Sequence, residues 1–233
     1  MMTSFVLVHG AWHGGWCWER VVPLLEAEGH FVAAPTLTGL AERAPALSRN
    51  VNLTTHINDI MDHIRAANLD DVTLVGHSYG GFPASGAALQ LPDVVSHLVL
   101  LDAFLPGDGE MLLNHAPAFI EEYGAQAAAD ESWNIPPLPA ALFGVGEPDQ
   151  PWVDAQLTPQ PVNTYFERMR FESPFDIQRK SYIRCTQAPG DLLERSLSRV
   201  RRDSGWRYIE IDAAHDVMIS NPELLAHVLL KQL

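Results

Sequence analysis

The pentapeptide Gly76-His77-Ser78-Tyr79-Gly80, followed by Gly81, has the G-x-S-x-G spacing of a nucleophile elbow. In such a turn a strand bends sharply into a helix and lifts a serine hydroxyl above the sheet edge. The bare pattern also describes an ordinary strand-to-helix turn with a capping serine, so the flanks decide. Before it stands Asp71-Val72-Thr73-Leu74-Val75, a β-branched run suited to a buried parallel strand. After it comes Phe82-Pro83-Ala84-Ser85-Gly86-Ala87-Ala88, whose small residues let a helix lie close to a sheet. Pro83 falls in that helix's first turn, where a missing N–H does no harm.

A serine hydroxyl is a poor nucleophile at neutral pH and needs a base, which in turn needs an acid to hold its tautomer. His215, in Ala213-Ala214-His215-Asp216 after a strand-like run, suits the base. Asp102, at the end of the apolar run from Val94, is a candidate acid. The developing oxyanion needs two main-chain donors. One is expected at Tyr79, the other at Ala11 in the glycine-punctuated loop after His9, or at its neighbour Trp12. His9 is expected to brace that loop.

The surrounding pattern must deliver these groups to one place. Ser4 to His9, Phe31 to Pro35, Asp71 to Val75, Val94 to Asp102, Ser181 to Thr186 and Trp206 to Ile211 read as strands. Helices are expected at Trp18–Glu28, from Asn52 with Ile57, Ile60, Met61 and Ile64 on one face, after the elbow, near Leu192–Asp203, and from Pro222. On that second helix His56 and His63 read as outer-face or packing residues. Alternating strands and helices imply a mainly parallel, doubly wound α/β sheet, with ligands at the carboxyl ends of strands. Ser78, Asp102, His215 and the His9 loop all fall there. Residues 106–175 break the alternation and are proline-dense, which marks an inserted cap, with residues 1–105 and 176–233 as the core. Within the cap, helices are expected near Met111–Ala129 and Val162–Arg170.

The 233 residues suit one large α/β domain, and 47% hydrophobic with 19% charged residues is a globular composition. No apolar run is long enough to span a membrane. A formal charge of −14 disfavours nucleic acid and anionic membrane surfaces as partners. No basic leader precedes the first strand, and the two cysteines, Cys17 and Cys185, lie in no metal or redox spacing. Free thiols in the cytoplasm are therefore expected, with no metal and no cofactor; a homodimer stays open.

The strings Phe5-Val6-Leu7-Val8-His9-Gly10-Ala11-Trp12-His13-Gly14-Gly15-Trp16, Gly76 to Gly81, Asp102-Ala103-Phe104-Leu105-Pro106, Tyr182-Ile183-Arg184-Cys185-Thr186 and Ala214-His215 span nearly the whole chain. They resemble α/β-hydrolases of the plant methylesterase and hydroxynitrile lyase type and their bacterial carboxylesterase relatives. The resemblance implies the α/β-hydrolase fold and a serine hydrolase with an apolar pocket under a cap. Two positions depart from it. Where the lyases carry a lysine after the histidine and a threonine after the first-loop histidine, this chain has Asp216 and Gly10, which disfavours cyanohydrin cleavage. The esterases' triad acid would fall on Ala188, which cannot orient an imidazole. The acid is then Asp102 or Asp191, or is absent in a Ser–His dyad.

The leading expectation is an esterase, with carbamate and amide cleavage open, acting on a small apolar or aromatic substrate through Ser78 and His215. Trp12, Phe104 and Trp152 are expected to line its pocket, with Trp16, Trp133, Phe119 and Phe143 available. The alternative is a catalytically silent, receptor-like ligand binder, which Ala188 would suit.

Overall fold

Alternate residues of a strand face opposite sides of its sheet, and the first strand shows both sides buried. In β1 (Ser4–Val8), Phe5 and Leu7 join a cluster with Trp18, Val21, Leu25 and Leu229, while Val6 and Val8 join another with Ile57, Ile60 and Phe82. The computed structural model describes residues 2–129, 133–171, 175–188 and 191–232.

The remaining strands are β2 (Phe31–Ala33), β3 (Val72–His77), β4 (Val95–Leu101), a two-residue pair β5 (Asn134–Ile135) and β6 (Gln160–Pro161), β7 (Arg179–Cys185) and β8 (Trp206–Ile211). The main sheet has the order β2-β1-β3-β4-β7-β8, and every pairing in it is parallel. The chain begins on β1, steps outward to β2, then returns past β1 to build β3 and everything beyond. The order thus reverses between β1 and β3, and the loops leaving those two strands diverge to opposite faces. A crevice at their carboxyl ends follows from that topology alone.

The helices are α1 (Val22–Ala27), α2 (Leu53–Ala66), α3 (Gly81–Gln90), α4 (Ile120–Ala129), α5 (Gln150–Gln156), α6 (Asn163–Phe166), α7 (Glu194–Arg202), α8 (Val217–Ser220) and α9 (Pro222–Leu230). Helices α1 and α9 cover one face of the sheet, and α2, α3 and α7 the other. Helix α2 opens with a capping box: the Asn52 side chain accepts from the Thr55 N–H, and Thr55 Oγ1 from the Asn52 N–H. Helix α3 packs close because it is made of small residues. A Cβ on its Gly86 would lie 2.5 Å from Ile57 Cδ1.

Several elements are shorter than the sequence pattern implies. The helix expected from Trp18 begins only at Val22, because Pro23 has no N–H and must sit in the first turn. The helix expected to run to Arg170 stops at Phe166. Glu167 turns away to accept hydrogen bonds from Thr54 N–H and Oγ, both at 2.7 Å, and Met169 pairs through its N–H with Glu110 O at 2.7 Å. None of the described helices is long and apolar enough to cross a membrane.

Besides Glu167, further contacts anchor the excursion between β4 and β7, three of them as follows. Glu110 accepts from Arg195 and Arg199 of α7. Trp12 donates its ring N–H to Ile135 O and its main-chain N–H to Gln160 Oε1, both at 3.1 Å. Asp216 N–H donates to Phe143 O at 3.0 Å. The last two contacts join the excursion to the loops after β1 and β8.

Candidate active site

Ser78 sits where β3 ends, at φ 51°, the left-handed region that strand-to-helix elbows use and most side chains avoid. The turn closes against the first loop so tightly that a Cβ on Gly80 would lie 2.5 Å from His9 O. Only glycine fits there. Phe104 N–H holds the Ser78 carbonyl at 3.0 Å from the opposite side. Tyr79 is fixed through its hydroxyl, which donates to His56 Nδ1 at 2.7 Å, while His56 Nε2 donates to Thr38 O at 2.9 Å. His56 is therefore a packing residue, fully buried, and burial lowers its pKa to about 4, which keeps it neutral.

His215 leaves the end of β8, and its Nδ1 donates to Asp102 Oδ2 at 2.6 Å. Asp102, at the end of β4, is 0% exposed. Its second oxygen accepts from the Cys185 N–H at 3.1 Å and from the guanidinium of Arg184, a β7 residue. Arg184 also donates to Ala188 O at 2.7 Å. Three donors thus hold the carboxylate: one oxygen faces the imidazole and the other faces two donors. Burial alone would raise the Asp102 pKa, but the hydrogen bonds and charges of His215 and Arg184 outweigh it and hold it below the usual value. His215 is the mirror case. Burial pulls its pKa down, and the hydrogen bond and charge of Asp102, with the charge of Asp216, carry it above 6.5.

The structure therefore brings Asp102 to the imidazole. Ala188, where the resemblance would put the acid, is buried and offers only its carbonyl. The side chain of Asp191, the other candidate, lies outside the described residues.

In the first loop, His9 Nδ1 donates to Gly10 O at 2.8 Å and its Nε2 accepts from the Leu37 N–H at 3.1 Å, the expected bracing role. Burial lowers its pKa to about 3. The Trp12 N–H is already engaged by Gln160, so of the two first-loop donors Ala11 is the one left to the crevice. Tyr79 is the second residue of a 3-10 turn, Ser78–Gly80, whose first N–H groups have no acceptor within the turn.

A second buried acid lies beside the base. Asp216, 0% exposed, places Oδ2 3.1 Å from His13 Nε2, and His13 Nδ1 lies 2.7 Å from Ala11 O. Burial would raise the Asp216 pKa, but the neighbouring His13, His77 and His215 rings hold it below the usual range. His13 thereby ties the Ala11 loop to the His215 loop. His77 Nε2 donates to His215 O at 3.1 Å. His77, His215 and Asp216 bring ligand-type atoms within 4.8 Å of one another, yet His215 Nδ1 and His77 Nε2 are already engaged in this hydrogen-bond network.

Ser78 and His215 both line a cavity of about 270 Å³ at the sheet's switch point. Trp12 and Phe104 line it as expected, and so do Phe119 and Phe143. Trp152 does not. Val153 of α5 is buried, and Trp152 is half-buried away from the cavity, edge-on to Trp16 at 5.3 Å and under the Arg20 guanidinium at 5.2 Å. Trp16 and Trp133 are also absent from the lining. The pattern reading missed Arg184, the His13–Asp216 pair and the phenols of Tyr123 and Tyr165. His13 could be read from the sequence as catalytic and Asp216 as a departure from the lyases, but nothing in the pattern joins the two.

A parallel sheet carrying serine, imidazole and carboxylate on one edge under an apolar excursion defines an α/β-hydrolase arrangement. The chain belongs to the alpha/beta hydrolase family, which it matches over residues 5–228. It is 37% identical over 238 residues to the carbendazim hydrolyzing esterase of Nocardioides sp. (strain SG-4G), covering 98% of each chain. It is 27% identical to salicylic acid-binding protein 2 of Nicotiana tabacum, over 97% of this chain and 95% of that one. Among solved structures it resembles an extracellular alpha/beta-hydrolase from a Paenibacillus species, with a TM-score of 0.85 at 23% identity over 100% of this chain and 99% of the other. Methylesterases of Arabidopsis thaliana are further relatives, so the hydrolase class and ester cleavage are supported by kinship as well as by fold.

Proposed function

We propose that the protein is a cofactor-independent serine hydrolase that cleaves a small, uncharged apolar or aromatic carboxylic ester, carbamates and amides being within reach of the same machinery. The observation that carries this reading is the 2.6 Å contact of His215 Nδ1 with a fully buried Asp102, on an imidazole lining the same cavity as Ser78. In the proposed cycle His215 Nε2 takes the Ser78 hydroxyl proton as Oγ bonds to the substrate carbonyl carbon. The Ala11 and Tyr79 N–H groups receive the oxyanion, each worth roughly 10²–10³ in rate. The imidazolium, held by Asp102, returns its proton to the leaving alkoxide, and water then repeats the sequence to release the acid. Residues 106–175 serve as the lid. Kinship with an esterase named for a carbamate, carbendazim, supports including that class.

The silent-binder reading drew on Ala188; an acid at Asp102 removes its motive. Cyanohydrin cleavage stays disfavoured, because Asp216 is paired with His13 and provides no ammonium. Incubation with a fluorophosphonate tests the mechanism: wild type is expected to label at Ser78 and to hydrolyse aryl esters, and Ser78→Ala to do neither. Folded wild type that does not label would overturn the reading.

A further inference from the structure

The cavity's polar groups divide cleanly by whether they have partners. Its lining includes no Asp, Glu, Lys or Arg side chain among the described residues. Trp12 Nε1 is spent on Ile135 O, and the Tyr79 hydroxyl on His56. Ser78 and His215 belong to the chemistry. What remains are the hydroxyls of Tyr123, on α4, and Tyr165, on α6. These side chains belong to residues only 7% and 4% exposed, both line the cavity, and neither hydroxyl has a hydrogen-bond partner among the described residues. Neither oxygen is among the fully enclosed polar atoms that lack a partner, so both hydroxyls open onto the cavity and are free to donate to an occupant.

Their position is set by a file of aromatic rings. Tyr165 lies 5.7 Å from the Tyr79 ring and 6.5 Å from Trp12, which flank the oxyanion side. Tyr123 lies one ring further, 5.9 Å from Tyr165, and stacks on Phe119 at 5.3 Å. The file thus runs from Tyr79, the residue after Ser78, through Tyr165 and Tyr123 to Phe119, and offers a flat aromatic group a wall of rings. Burial pushes both phenol pKa values up, so each remains an O–H donor.

We infer that Tyr123 and Tyr165 form a distal polar subsite that selects uncharged aromatic substrates carrying a hydrogen-bond acceptor, a ring nitrogen or oxygen, on the side remote from the scissile carbonyl. This rests on the reading of Ser78 as the nucleophile, which places the carbonyl at the other end of the file. A charged ring substituent is excluded, since the lining holds no counter-ion and a buried unpaired charge is far costlier than a hydrogen bond. A carbocyclic analogue would leave the two phenols unpaired, and sites built to hydrogen-bond a substrate reject such analogues.

The test uses two isosteric esters, methyl quinoline-6-carboxylate and methyl naphthalene-2-carboxylate, which differ by one ring nitrogen. Each is compared with itself across variants, so intrinsic reactivity cancels. The quinoline-to-naphthalene ratio of kcat/KM is expected to be about tenfold higher in wild type than in the Tyr123→Phe/Tyr165→Phe double variant, with the change in KM. Calorimetric titration of Ser78→Ala gives a second readout that needs no turnover and no tyrosine change. It should bind the quinoline ester roughly tenfold more tightly than the naphthalene ester, and the added Tyr→Phe pair should erase that preference. Equal binding by Ser78→Ala, or a ratio unmoved in the double variant, overturns the subsite. A binding preference without turnover of either ester by wild type would overturn the hydrolase reading and leave the subsite standing.

Discussion

Replacing Asp102 with asparagine changes one atom of the side chain, and the structure dictates which way the new amide must face. The oxygen that replaces Oδ1 is held by two donors, the Arg184 guanidinium and the Cys185 N–H. An NH₂ group there would meet donor against donor. The amide therefore keeps its oxygen on Arg184 and Cys185 and turns its NH₂ toward His215 Nδ1. That ring nitrogen must then accept, so the proton moves to Nε2, which presents a hydrogen to Ser78 where a lone pair is required. Flipping the amide to recover the right tautomer forfeits one charge-assisted and one main-chain hydrogen bond, about 3–4 kcal/mol together. At 1.36 kcal/mol per decade this alone is roughly a 10²–10³-fold loss. Losing the carboxylate that stabilises the imidazolium brings the expected fall in kcat to about 10³–10⁴, as triads elsewhere show when the acid becomes an amide. The assay is steady-state hydrolysis of an aryl acetate, with fluorophosphonate labelling rates on the same preparations and circular dichroism to show the fold is kept. KM should change little. An Asp102→Asn enzyme within tenfold of wild type, with Asp191→Asn carrying the large loss, would refute the assignment and the amide argument with it.

The base must be neutral to act, so kcat/KM should rise with pH through a midpoint above 6.5, the ordinary histidine value, in a pH–rate profile. Asp216→Asn removes one of the charges that raise it, and the midpoint should move down; an unmoved profile would show that Asp216 does not act on His215. The lowered Asp102 pKa means the folded state binds fewer protons than the unfolded one near pH 3.8, so its stabilisation is present above that pH and lost as pH falls through the folded value. Acid unfolding followed by circular dichroism should therefore lose this contribution in Asp102→Asn. His13→Leu strands a buried carboxylate at Asp216 and should cost about 3–5 kcal/mol, roughly a 10 °C fall in Tm. The His13→Leu/Asp216→Leu pair should recover most of that in a thermal melt, since an apolar pair strands no charge.

What could be read from the chain was whatever local periodicity or a short motif carries. The elbow and the strands converging on it follow from apolar alternation and from the glycines at fixed offsets. Arg184 shows why the rest stayed hidden: within Arg179–Cys185 it is one polar residue of a strand, and nothing local tells where it points. Only the pairing of β4 with β7, Leu101 opposite Ile183, puts it beside Asp102. Trp152 fails for a similar reason, because helix phase in a short proline-started helix depends on which single residue the core accepts. The helix start at Val22 and the helix end at Phe166 are set by Pro23 and by the tertiary capture of Glu167. His13 and Asp216 are separated by most of the sequence, and no pattern couples them.

The neighbouring ends of β4 and β7 tie the carboxylate and the cavity wall to one sheet edge, so a disturbance of either strand end reaches both. Asp102 N–H donates to Ile183 O at 2.7 Å, and Ala188 lines the same cavity as His215. The carboxyl ends of these two strands therefore lie side by side, and the segment after each one reaches His215 or the cavity it lines.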